Sequence, residues 1–154
     1  MSDGFLMMDL MRAFYWLDEG LQTALQSRGW GRFSRTKSFT LANVALGVRR
    51  PSDIARNLGI SRQAVSAMLR EMAAEGLVRL DPDPDDGRAI IVRFSERSEN
   101  LHADALTTLK RLEQTVSERI GAAASAALRQ ALSADWGEVP AAQWQVSATD
   151  TKVS

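Results

Sequence analysis

Reactive side chains are scarce in this chain. Its 154 residues include no cysteine and a single histidine, His102. Disulfides, thiolate metal sites, cysteine nucleophiles and thiol redox sensing are thereby excluded, as is any metal cluster or catalytic dyad built on two histidines. Ser34-Arg-Thr-Lys37 has the Ser-x-x-Lys spacing of some acylases, but neither Ser-Asp-Asn nor Lys-Thr-Gly follows it. The run from Asp81 to Gly87 opens like a calcium loop. Its sixth position is Asp86 and its twelfth Val92, where that loop needs glycine and glutamate. It reads as an acidic turn. No nucleophile, base and orienting residue form a group, so an enzyme is disfavoured and no cofactor or metal is implied.

What remains is recognition by charge and hydrogen bonding. Nineteen basic residues balance nineteen acidic ones over the whole chain, but not evenly along it. Between residues 28 and 70 lie Arg28, Arg32, Arg35, Lys37, Arg49, Arg50, Arg56, Arg62 and Arg70 against Asp53 alone, nine minus one, a local excess of +8. Such an excess marks either a surface that docks on phosphate or a solvated face against which acids from other segments fold.

The elements that must carry these residues can be read from periodicity. Leu10, Phe14, Leu17, Leu21 and Leu25 make one helical stripe within residues 5–27, with Met7, Met8, Met11, Tyr15 and Trp16 adding apolar surface outside it. A helix apolar on more than one side is buried by more than its own domain. Gly29 and Gly31 break the pattern around Trp30. Ser34 caps a second helix with Phe39, Leu41, Val44 and Leu46, ending near Gly47. Pro51 suits the first turn of a short third helix, with Asp53 near its positive end and Leu58-Gly59-Ile60 as its stop. Ser61 caps a fourth helix over 61–75, in which Val65, Met68, Leu69 and Met72 form the buried stripe and Gly76 the close. Leu77–Leu80 and Ala89–Phe94 read as strands joined by the acidic turn. From Ser95 a long helical region carries Leu101, Ala105, Leu109, Leu112, Val116 and Ile120 on one face. Gly121 divides it from an alanine-rich helix with Leu128, Ala131 and Leu132.

Two short helices meeting at a tight glycine turn, followed by a hairpin, make a winged helix-turn-helix. Ala55 is small where the helices cross, Gly59 permits the turn, and Ile54, Leu58, Ile60, Val65 and Met68 fill the core beneath. Arg62, Gln63, Ser66, Ala67 and Arg70 form the opposite face, the mixture that a helix lying in the DNA major groove requires.

The stretch "RPSDIARNLGISRQAVSAMLREMAAEGLV", the hairpin "DPDPDDGRAIIVRFS" and the long helix after it resemble the MarR family of bacterial transcriptional regulators from about Thr36 to Ser133. The resemblance implies a mainly α (α+β) fold, a winged helix-turn-helix over 34–95 between dimerisation helices at 1–33 and 96–136, with 137–154 a tail. It implies a homodimer on a pseudo-palindromic operator, most simply a repressor, and many relatives release DNA on binding a small, often aromatic, effector. The family's wing pattern, Asp-x-Arg, is met by Asp86-Gly87-Arg88, in which the aspartate orients an arginine that enters the minor groove. A narrow minor groove concentrates negative potential and favours such an insertion on physical grounds alone. Relatives often carry a second basic residue where this chain has Gly87.

The expected DNA contacts are therefore Ser61, Arg62, Gln63, Ser66, Ala67 and Arg70 from the fourth helix and Asp86 and Arg88 from the wing. Lys37, Arg50 and Arg56 are expected on phosphate rather than on bases, with a solvated surface residue the equal alternative for each. Tyr15, Trp16 and Trp30 are candidates for an effector pocket, with packing at a dimer interface the favoured alternative; His102 is a further pocket candidate, a surface or interface histidine being its simpler reading. Trp136 and Trp144 are read as packing residues. The competing reading is a winged-helix module that binds protein or scaffolds, without sequence-specific DNA binding. No apolar run is long enough for a membrane span, no Lys or Arg precedes Arg12 in signal-peptide fashion and Asp9 interrupts the first apolar run, so a cytoplasmic protein is expected.

Overall fold

The computed structural model describes residues 4–140, so Trp144 and most of the tail lie outside the described residues. The element order is α1 (Leu6–Ser27), α2 (Arg35–Ala45), α3 (Pro51–Leu58), α4 (Arg62–Ala74), β1 (Val78–Pro82), β2 (Ile90–Phe94), α5 (Glu96–Ile120) and α6 (Ala122–Ser133). Contacts divide the chain into two compact units, one up to Thr115 and one from Val116 onward, the division falling within α5. No described helix is long and apolar enough to cross a membrane.

Within the first unit the local sequence accounts for each boundary of the helix-turn-helix. Ser34 accepts the Lys37 N–H (3.3 Å) and Ser61 accepts the Ala64 N–H (3.1 Å), so α2 and α4 begin where a side-chain oxygen satisfies a free backbone donor. Pro51 opens α3 without wasting an N–H. Gly59 ends it at φ 65°, ψ 30°, a left-handed conformation that side chains with a Cβ enter only with strain. That single residue turns the chain sharply enough for α4 to pack on α3. Their contact buries Ile54, Ala55, Val65, Leu69 and Met72, the first, third and last with no exposed surface at all. Leu77, Val78 and Val92 extend this core under the hairpin.

β1 and β2 pair antiparallel from Val78 opposite Phe94 to Pro82 opposite Ile90. At the start of α5, the Ser95 N–H donates to Ser98 Oγ (2.8 Å) and the Ser98 N–H to Ser95 Oγ (3.1 Å), a reciprocal cap.

α1 reaches α5 closely because Gly20 has no side chain: a Cβ there would stand 2.7 Å from Leu112 Cδ2. Asp104 on α5 fastens the Gly-rich connection, accepting from Trp30 Nε1 (2.8 Å) and Arg28 Nη1 (3.1 Å). Gln22, buried on α1, donates to Ser38 Oγ (3.1 Å) and accepts the Phe33 N–H (3.0 Å), so no buried polar atom is left without a partner there. The stripe of α1 is best covered at its C-terminal end, and Leu10 is half-buried at the other. Leu25 is buried and Leu17 and Leu21 half-buried, whereas Phe14 is exposed and stacks on Phe39 (5.3 Å between centroids). Phe5, Leu6, Met7, Met8 and Met11 are all exposed.

In the second unit, Gly121 at φ 90° separates α6 from α5. Leu128, Leu132 and Trp136 are exposed, and Trp136 Nε1 donates back to the Ala131 carbonyl (2.8 Å).

Candidate nucleic-acid interface

The helix after the glycine turn is sharply two-sided. Val65, Leu69 and Met72 point into the core, and Arg62, Gln63, Ser66, Ala67 and Arg70 are all exposed. A helix fixed by its inner stripe presents its outer side chains at definite positions, which is the geometry that base-edge reading requires. Ser61 is also exposed, with its hydroxyl engaged in capping α4.

Charge in the 28–70 window is mostly neutralised within the molecule. Arg28 pairs with Asp104, Arg32 with Glu19, Arg35 with Asp18, Lys37 with Glu71 and Glu75, Arg50 with Asp83, and Arg56 with Asp53. Arg49, Arg62 and Arg70 carry no ion pair among the described residues. Two of those three stand on the outer face of α4.

The three residues expected on phosphate therefore sit differently. Arg56 is well exposed and held only by a neighbouring carboxylate one turn away (3.1 Å), a contact that water screens readily. Lys37 lies between Glu71 (2.6 Å) and Glu75 (2.8 Å), at the C-terminal end of α4. Its hydrogen bonds to Glu71 and then Glu75 raise its pKa, and Lys37 in turn lowers that of Glu71. Lys37 thus fastens α2 to α4. Arg50 reaches the buried Asp83 with two nitrogens, Nε (3.1 Å) and Nη2 (2.8 Å).

The connection between the strands is folded by its own aspartates. Asp83 Oδ1 accepts the Asp85 N–H (3.0 Å), and Asp86 Oδ1 accepts the Arg88 N–H (3.1 Å), turns that aspartate forms with the backbone two residues on. The Asp85 N–H, and after it Arg50, hold the Asp83 carboxyl below the usual carboxylate range against the opposing effect of burial. Asp86 grips the main chain of Arg88, and the Arg88 guanidinium makes no ion pair among the described residues. The hydrogen bonds that Asp83 and Asp86 accept from the backbone two residues on make the run from Asp81 to Asp86 a turn device.

The four candidate effector-pocket residues are not brought together. Tyr15 lies under Arg35 (4.2 Å), Trp16 is exposed on α1, and Trp30 bonds Asp104 with Arg97 above its ring (5.7 Å). His102 stacks on Phe94 (5.0 Å) and borders an apolar cavity of about 290 Å³ between α1, α2, β2 and α5. Leu21, Leu25, Phe33, Leu41 and Leu101 supply its walls, with Gln22 and Ser38 as polar points. Sequence reasoning missed this cavity because its lining is ordinary core-type residues from four elements, and it missed Arg49 and Asp83 because spacing does not tell which charges pair.

A helix pair joined through a left-handed glycine and completed by a two-stranded wing, within longer flanking helices, defines a winged helix-turn-helix protein. Residues 33–89, the second helix through the wing, match the model of the MarR family. Solved structures with the same fold include the reduced form of MarR from E. coli (TM-score 0.68, 17% identity, covering 86% of this chain and 96% of that one). The transcriptional repressor CouR bound to a 23-mer DNA duplex matches with TM-score 0.64 and 24% identity, over 83% of this chain and 89% of that one. A mutant of S. aureus MepR bound to an oligodeoxyribonucleotide matches with TM-score 0.54 and 17% identity, over 84% and 94%. No curated protein sequence matches the chain.

Proposed function

We propose that this protein is a DNA-binding transcriptional regulator that acts as a homodimer on a pseudo-palindromic site. The observation that carries the reading is the outer face of α4, where Arg62, Gln63, Ser66, Ala67 and Arg70 are exposed while most other cations of the same window are neutralised internally. α4 enters the major groove, Arg62 and Arg70 supplying charge and Gln63 and Ser66 hydrogen bonds to base edges. Arg88 enters the minor groove from the wing. Arg49 and Arg56 take phosphate. Lys37 and Arg50, paired with carboxylates of the same chain, brace α4 and the wing. The family match over the winged helix, and the DNA-bound structures of CouR and MepR among its structural neighbours, support the assignment.

The apolar end of α1, from Phe5 to Met11, is a surface that a second subunit would cover. The cavity beside His102 is the place for a small apolar or aromatic effector, since it is largely apolar with a few polar points.

The decisive measurement is binding of the purified protein to DNA from upstream of its own gene at two salt concentrations, with unrelated DNA as control. Expected is saturable binding that beats the control and weakens steeply with salt, because each neutralised phosphate releases counterions. Equal binding to both DNAs would reduce α4 to a basic surface, and no binding at low salt would favour a protein partner.

A further inference from the structure

A two-stranded ribbon is marginally stable on its own in water, so a wing needs something to hold its tip in place. Asp83, the first residue after β1, is a carboxylate only 4% exposed, and each of its polar groups is engaged. Its N–H donates to the Ala89 carbonyl (2.9 Å) and its carbonyl accepts the Asp86 N–H (3.2 Å), closing the loop on itself. Its Oδ1 accepts from Asp85, and its Oδ2 takes both Arg50 nitrogens. Arg50 is the residue on which α3 begins: its carbonyl accepts the N–H groups of Asp53 (3.0 Å) and Ile54 (3.1 Å). Next to it, the Arg49 carbonyl accepts the Val92 N–H of β2 (2.8 Å). Two consecutive residues ahead of α3 thus hold the hairpin, one at β2 through the main chain and the other at the end of β1 through its side chain. α3 in turn shares its core with α4 through Ile54 and Val65.

Building on the reading of α4 and Arg88 as the DNA contacts, we infer that Asp83 and Arg50 form a latch that sets where the wing presents Arg88 relative to α4. Two contacts with one duplex reinforce each other only if their separation matches that of the grooves. The latch fixes this separation before DNA arrives. Arg50 is then a positioning residue, its half-exposed side chain committing two nitrogens to the buried Asp83 carboxylate. A planar guanidinium suits the task because it gives two nitrogens to one carboxylate oxygen and so fixes direction as well as distance.

The test is a double-mutant cycle in the full chain on the DNA fragment bound by the wild type, with melting temperature and hydroxyl-radical footprint recorded for each variant. Asp83→Asn keeps the shape and an oxygen for the Asp85 N–H while discharging the partner of Arg50. Expected is affinity weakened roughly fivefold, as for residues coupled in one network, with protection missing at the wing positions and kept where α4 lies. In the Arg88→Ala background the same change should cost nothing more. Arg50→Lys should behave as Asp83→Asn does, and it carries the test should Asp83→Asn not fold. If Arg50→Lys binds like the wild type, Arg50 acts as a simple cation and the latch is overturned. The latch is also overturned if Arg88→Ala weakens binding and Asp83→Asn does not, or if their effects simply add. If Arg88→Ala itself changes nothing, the wing reading fails, and with nothing to position the latch fails too.

Discussion

Individual side chains in the interface divide by whether the protein already uses them. Gln63 and Ser66 are exposed on α4, away from its buried stripe, so replacing either by alanine should leave melting unchanged and alter base preference. The expected cost is about 1–3 kcal/mol for each good hydrogen-bonded pairing with a base that is removed. Selection of bound sequences from a random pool would reveal it; a uniform weakening over all sequences would make them positioning residues. Asp83 is the opposite kind. Its pKa is lowered in the folded chain, so the charge favours folding at neutral pH. That contribution is lost as pH falls below the ordinary carboxylate range of about 4. Asp83→Asn should therefore flatten the acid limb of the stability curve, measured by urea melts between pH 6 and 3. The spacing of Asp86 and Arg88 is legible in the sequence, as is the outer face of α4. The pairing of Arg50 with Asp83 and of Lys37 with two glutamates is not, since residues 33 to 38 positions apart meet only after folding. Sequence alone therefore places both cations on phosphate, and only the fold shows the carboxylates they pair with.

At the scale of elements the sequence is most informative, because caps, proline and glycine act within a few residues of themselves. Ser34, Pro51, Gly59, Ser61 and Gly121 stand at the boundaries their types demand. Gly59→Ala should destabilise the winged helix by about 1–2 kcal/mol, the cost of a Cβ in the left-handed region, with no neighbour within 4 Å to add a clash. Thermal or denaturant unfolding measures it. Ile54→Ala, at the fully buried centre of the same helix pair, should cost more, about 2–5 kcal/mol. What periodicity does not separate is burial within the chain from burial by something else. Phe14 belongs to the stripe of α1 by spacing and yet is exposed, while Leu21 and Leu25 of the same stripe pack on the core.

For the molecule as a whole, a formal charge of zero and an exposed apolar end on α1 make opposite statements about solubility. A neutral chain gains little from self-repulsion, so Phe5 to Met11 need cover. If a second subunit covers this end as proposed, paired substitution Met7→Glu and Met8→Glu should shift sedimentation from dimer to monomer and weaken binding to a two-fold site much more than to a half-site. An unchanged sedimentation coefficient would place the subunit interface elsewhere. The inner stripe of α4 has a further consequence. Since Val65, Leu69 and Met72 anchor that helix from within, its outward side chains can be exchanged within about 0.5 kcal/mol of folding stability. A duplicated copy could therefore change what that face recognises at five positions while the core beneath stays the same.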